Sequence, residues 1–233
     1  MDRFDLISKK IKIVTNECRQ ASQNANLIAV TKYSPSLDIE LAYKSGHRHF
    51  GENRVDELLE KSLALSHLEG INWHFIGELQ SKKIKSLLKV KNLMAIHSID
   101  RESQLNNLLK YKSEYTGNNL NIFLQINTSG ETQKGGMVDY QSLKNIAQHE
   151  AFNSTCFKLK GLMTMGAIFK SDMDIGPKES FLKLVELGNN LKGDLGINEL
   201  DYSMGMSQDW EEAIDSGATW IRLGSIIFGD RIR

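Results

Sequence analysis

Proline and cysteine are scarce in this chain, and each shortage excludes something. Only Pro35 and Pro177 occur in 233 residues, and no Gly/Ser-rich tract is present. With no linker composition of either stiff or flexible kind, one domain over residues 1–233 is expected. The two cysteines, Cys18 and Cys156, have no partner at paired or zinc-ligand spacing. That disfavours a disulfide framework and a zinc site, and it fits a reducing cytoplasm. A surplus of either charge is missing too, because 29 Lys plus Arg balance 29 Asp plus Glu. A general attraction to nucleic acid or anionic membrane is therefore not expected. No apolar run approaches the roughly 20 residues that cross a bilayer. The amino terminus (Met-Asp-Arg-Phe-Asp-Leu) lacks the apolar core of a signal peptide. The expectation is a cytoplasmic protein that does not associate with membrane.

What is present starts with residues 27–33, Leu-Ile-Ala-Val-Thr-Lys-Tyr. A continuous apolar run of this kind suits a strand buried on both faces, as in a parallel sheet. Lys32 then sits at the carboxyl end of a core strand. Lysine is rarely buried without compensation. Its ordinary reading is a side chain snorkelling into water; the sharper one is a desolvated amine that forms an imine with an aldehyde or ketone.

The rest of the chain alternates. Phe4, Ile7, Ile11 and Val14 mark a leading amphipathic helix within residues 1–24. Strands are read at 27–32, 47–52, 71–77, 93–99, 121–127, 159–165, 199–204 and 220–227. Helices lie between them, one capped by Ser36 and closed by Gly46, another opened by Pro177. Eight such units over residues 27–229 predict an α/β fold, a (β/α)8 TIM barrel. An open doubly wound sheet is the runner-up. With no helix read after the eighth strand, the leading helix is expected to pack in that place.

In a barrel, functional residues gather at the carboxyl ends of strands. Those ends carry Lys32, Glu52, Asn53, His74, Gly77, His97, Ser98, Asn127, Met163, Met165, Ser203, Arg222, Gly224 and Ser225. No His-x-His or paired carboxylates stand out, so a metal-dependent hydrolase is disfavoured. The set suits a small anion bearing a carbonyl group. Ser203-Met204-Gly205-Met206-Ser207 and Leu223-Gly224-Ser225 follow the last two strands, where barrels commonly seat a phosphate. Each piece alone reads as an ordinary turn; together they favour a phosphate. Arg222 lies inside an apolar strand and needs a partner. His74, between Trp73 and Phe75, reads more readily as a satisfied core histidine. Glu131 and Lys134 read as solvated residues of a long loop, 128–137, of the sort that can form lids.

Taken together, several motifs carry a resemblance. They are Ala29-Val30-Thr31-Lys32, Phe50-Gly51-Glu52-Asn53, Trp73-His74-Phe75-Ile76-Gly77-x-Leu79-Gln80, and Gly161-Leu162-Met163-Thr164-Met165. Ser203-Met204-Gly205-Met206-Ser207-x-Asp209 and Arg222-Leu223-Gly224-Ser225-x-Ile227-Phe228-Gly229 complete the series. From about residue 27 to 231 the chain resembles the pyridoxal-phosphate homeostasis proteins, single-domain relatives of the alanine racemase barrel. It departs at Lys83, where the family commonly has Asn, and at Ser225, where it has Thr. Neither change removes a backbone donor. The resemblance implies that Lys32 forms a Schiff base with pyridoxal 5′-phosphate, that Ser203, Gly224 and Ser225 hold the phosphate, and that Arg222 faces the pyridine nitrogen. It also implies that Asn53, His74 and Met204 line the pocket.

The same resemblance separates binding from catalysis. A guanidinium donates and cannot take up a proton, so Arg222 would leave the ring nitrogen unprotonated and the electron sink weak. Racemisation needs an acid/base on each face of the α-carbon. In racemases one comes from a second domain, which the sequence ending at Arg233 is expected to lack. The leading expectation is a monomeric cofactor-binding protein with no catalytic residue, acting in vitamin B6 homeostasis and handing pyridoxal phosphate to apo-enzymes. The alternatives are an amino-acid racemase or lyase assisted by Tyr33 or His74, and an aldolase-like barrel using Lys32.

Overall fold

In the computed structural model, which describes residues 2–21, 25–167 and 176–229, the alternation of strands and helices closes on itself. The strands are β1 (Asn26–Val30), β2 (His49–Glu52), β3 (Asn72–Phe75), β4 (Leu93–Ile99), β5 (Leu120–Gln125), β6 (Phe157–Met163), β7 (Asp201–Ser203) and β8 (Trp220–Leu223). Each pairs in parallel with its neighbour in sequence, and β8 returns to β1 in the register Asn26↔Trp220 to Ala29↔Leu223. All four residues of β8 and the last four of β1 are buried, as strands covered on both faces require. One face meets a barrel interior of Ile28, Ala95, Phe123, Met163 and Trp220. The other, with Ala29, Phe50, Trp73 and Leu124, packs into the larger core beneath the helices.

Those helices are α1 (Arg3–Ala21), α2 (Ser36–Lys44), α3 (Val55–Ala64), α4 (Ile84–Leu87), α5 (Glu102–Lys110), α6 (Tyr140–Ala147), α7 (Pro177–Leu195), α8 (Trp210–Asp215) and α9 (Ser225–Phe228). In α1, Ile7, Ile11, Val14 and Cys18 recur every three or four residues and are buried. Full burial of each large aliphatic side chain contributes about 1.5–3 kcal/mol. The helix packs against α2, α8, α9 and β1, the place expected for it. Arg3 holds it there with a forked pair to Asp38 of α2, and its Nη2 donates to the Phe228 carbonyl at 2.9 Å.

Three local readings need correction. The eighth strand stops at Leu223, and the apolar residues beyond it form the single turn of α9. A short apolar run fits strand and helix alike, which is why the sequence misleads there. Ser36 is the first helical residue of α2, with Pro35 in the cap position and no side-chain cap bond. β1 ends at Val30, not at Lys32. Tyr33 lies at φ +66°, a left-handed conformation that turns the chain after Lys32.

Candidate functional site

At the carboxyl ends of the strands the barrel opens into a cavity of about 1070 Å³. Lys32, Asn53, Arg222, Gly224 and Ser225 line it, with Val30, Met163 and Met165 on its apolar walls. Lys32 is exposed to this space, and among the described residues it has no hydrogen-bond or ion-pair partner. The backbone beneath it is held firmly. Thr31 N–H donates to the Gly51 carbonyl at 2.9 Å, and the Thr31 carbonyl accepts from Lys61 Nζ at 2.8 Å. The same ammonium pairs with Glu52, which is fully buried and accepts from Thr31 Oγ1 at 2.8 Å. A flexible amine thus rises from a fixed peptide.

Arg222 faces the cavity from β8. Its Nη1 donates to Ser203 Oγ at 2.9 Å and its Nη2 to the Thr164 carbonyl at 3.0 Å. Burial pulls its pKa down to about 10, an effect that Asp209 opposes, so it is charged at neutral pH. Neither hydrogen-bond partner is an anion, which leaves the positive charge available to the cavity.

The two loops with small residues do converge. Ser225 Oγ donates to Ser207 Oγ at 3.2 Å, and Asp209 Oδ1 fixes the first loop by accepting from Met206 N–H at 2.6 Å. Gly205 at φ +90° makes the first loop possible, since a Cβ there would lie 2.6 Å from Ala213 Cβ. Gly224 caps the single turn of α9, its carbonyl accepting from the Ile227 and Phe228 N–H groups at 3.0 and 2.9 Å.

Ser203, His74 and Met204 lie behind the cavity wall instead of on it. The Ser203 hydroxyl is occupied by Arg222 and His97, and both nitrogens of His74 are engaged by neighbouring rings. His74 is therefore the satisfied core histidine its apolar neighbours suggested. Lys134 is not solvated: it is 8 % exposed, pairs with Glu131 at 2.7 Å and donates to the Gly166 carbonyl. Sequence reasoning gave no role to Lys61 or Gln125, and it left Ser98 a bare strand end. Ser98 is buried on the cavity lining with no partner for its hydroxyl among the described residues, and Gln125 lies on the same lining. Among the described residues no group of acidic, histidine and cysteine side chains could hold a metal ion.

A lysine after β1, an arginine on β8 and small-residue loops after β7 and β8 gather at one end of the closed barrel. The class is that of the alanine racemase barrels, and residues 7–232 match the family model described as alanine racemase, N-terminal domain. The pyridoxal phosphate homeostasis protein of Schizosaccharomyces pombe is 40 % identical over 229 residues, which cover 98 % of this chain and 91 % of that one. PipY of Synechococcus elongatus without PLP superposes with a TM-score of 0.84 at 30 % identity, covering 96 % of this chain and all of that one. PipY with PLP bound gives 0.79 at 29 % identity, with the same coverage. The alanine racemase of Corynebacterium glutamicum, 13 % identical, shares the fold with a TM-score of 0.67 over 96 % of this chain and 60 % of its own. This chain belongs to the pyridoxal phosphate homeostasis protein family, within the alanine racemase N-terminal-domain barrels.

Proposed function

We propose that this protein binds pyridoxal 5′-phosphate, anchors it covalently on Lys32, and serves its homeostasis without turning over amino acids. The observation that carries the reading is Lys32 itself: an amine with no partner among the described residues, on a fixed peptide, opening into a cavity that also holds a charged arginine and two small-residue loops. PipY, a relative of the same fold, is known with PLP bound. Bound pyridoxal phosphate supplies an electrophilic aldehyde carbon and an electron-accepting ring. Lys32 is the nucleophile for the aldehyde, once its amine has lost a proton to solvent. The backbone around Gly224 and Ser225, with the Ser225 and Ser207 hydroxyls, suits the phosphate. Asn53 stands on the same lining as a further polar contact.

Arg222 decides how much chemistry follows. Its guanidinium offers only donors, so it orients a ring nitrogen without protonating it and leaves the ring a weak electron acceptor. His74, behind the wall with both nitrogens engaged, has no reach to a substrate α-carbon. Tyr33 lines the cavity but is 63 % exposed. Such a site holds an aldehyde reversibly, which suits a monomeric carrier that passes it to apo-enzymes. Incubation of the loaded protein with free amino acids in deuterated buffer tests this. Negligible α-proton exchange is expected, and fast exchange would establish a racemase or lyase assisted by Tyr33.

A further inference from the structure

Three imidazoles form one hydrogen-bonded column through the barrel interior. His49 Nδ1 lies 3.1 Å from His74 Nε2, His74 Nδ1 lies 3.0 Å from His97 Nε2, and His97 Nδ1 lies 2.9 Å from Ser203 Oγ. Arg222 Nη1 reaches the same oxygen at 2.9 Å. The column begins at the first residue of β2, at the amino end of the barrel, and ends on an arginine that lines the cavity at the other. Its sides are aromatic: Trp220 stands 5.1 and 5.0 Å from the His49 and His74 rings, and Phe123 stacks on His97 at 4.2 Å.

Valence gives this column a direction. Arg222 has only donors, so Ser203 accepts from it and carries one proton of its own. The acceptor in reach for that proton is His97 Nδ1. His97, accepting there while neutral, carries its hydrogen on Nε2 and donates to His74 Nδ1. His74 in turn donates from Nε2 to His49 Nδ1. Burial holds both inner rings neutral, with pKa values well below the ordinary imidazole range. While Ser203 donates to His97, each inner ring therefore has one tautomer compatible with its neighbours.

We propose that His49, His74 and His97 are positioning residues that act as a tautomer relay, in which protonation of His49 reverses the column and turns the Ser203 hydroxyl away from His97, changing how Arg222 meets the cavity. A doubly protonated His49 must donate from Nδ1, so His74 has to accept at Nε2 and carry its hydrogen on Nδ1. His97 then does the same and donates to Ser203 Oγ, which now accepts twice and aims its own proton elsewhere. One proton taken from water balances the change. His49 is the partly exposed end, so it is where that proton is registered. The charged and titratable groups around it are His47, whose Nε2 lies 2.7 Å from the His49 carbonyl, Arg48, which donates to the Tyr43 and His47 carbonyls, and His74. Asp201 reaches the same end by accepting from Trp220 Nε1 at 3.0 Å, and it is paired with Lys160 at 3.3 Å.

The consequence for a bound cofactor rests on the function proposed above; the relay itself does not. Imidazole nitrogen NMR on the protein labelled at histidine, with no ligand added, decides it. Near neutral pH, His74 and His97 are expected as Nε2–H tautomers. As His49 titrates on acidification, both are expected to switch to Nδ1–H while staying neutral, and His49→Gln is expected to abolish the switch. Nδ1–H forms at rest, or inner rings that stay unmoved until the protein unfolds, would overturn the relay. In protein loaded with pyridoxal phosphate, the visible spectrum is expected to shift over the same pH range in wild type and to stay constant in His49→Gln. A protein that takes up no pyridoxal phosphate sinks the cofactor reading alone, because the NMR result still decides the relay.

Discussion

Glu52 and Lys61 form a nearly buried ion pair outside the barrel wall, and its task is to clamp the Thr31 carbonyl just before Lys32. Glu52 Oε2 has no partner among the described residues, so the carboxylate depends on Lys61 and Thr31 for compensation. Removing one partner of a buried pair typically costs about 3–5 kcal/mol. Lys61→Met is expected to lose stability on that scale in urea unfolding, and Glu52→Gln with Lys61→Met to recover part of it. A single-variant loss under about 1 kcal/mol would show that the pair contributes little. Cysteine chemistry is also decided residue by residue. Burial raises the Cys18 thiol to about 11, whereas Cys156 is only half-buried. Iodoacetamide is expected to modify Cys156 first, as followed by intact mass; prior labelling of Cys18 would contradict its burial under α1. Lys32 and Arg222 could be found in the sequence because a charge at the end of, or within, an apolar run is conspicuous. Lys61 and the place of His97 in the column could not, because both depend on which strand face meets which neighbour.

At the scale of elements, the turns after β2 and β3 are locked together. A Cβ on Gly77 would lie 2.0 Å from the Asn53 carbonyl, and backbone cannot yield as a flexible side chain does. Gly77→Ala is expected to cost about 1–3 kcal/mol by overpacking and to displace Asn53 from the cavity lining. Urea midpoints and the affinity for pyridoxal phosphate check the two effects separately. An affinity equal to wild type would mean that Asn53 is not a contact. The elements themselves were mostly legible, and β4 has the bounds its apolar pattern predicts. The shortest were not. Ser203 does end β7, but its hydroxyl, expected at the phosphate, meets Arg222 and His97 in the barrel interior, and Met204, expected on the pocket wall, is fully buried behind it. No periodicity in so short a segment shows which way its side chains face.

For the whole molecule, acid is the weak side. Burial lowers the pKa values of His47, His49, His74 and His97, the first to about 4. An unfolded histidine titrates near 6.5, so below that pH the unfolded chain binds protons that the native chain refuses. Their contribution is constant above about pH 6.5 and is lost as pH falls toward 4, at up to about 1.4 kcal/mol per pH unit for each ring. Urea midpoints measured between those limits are expected to fall with a slope of more than one proton; a flat profile would mean that the rings are hydrated. The closed barrel was legible from the count and order of its units, while the interior histidine column emerges only when the strands are placed side by side. The central claim remains the amine on β1's carboxyl side. Pyridoxal phosphate added to the purified protein, followed by borohydride reduction and peptide mapping by mass spectrometry, tests it most directly. A pyridoxyl group on Lys32, absent in Lys32→Ala, is the predicted result. A protein that stays colourless and unlabelled, or is labelled equally at other lysines, would contradict the account.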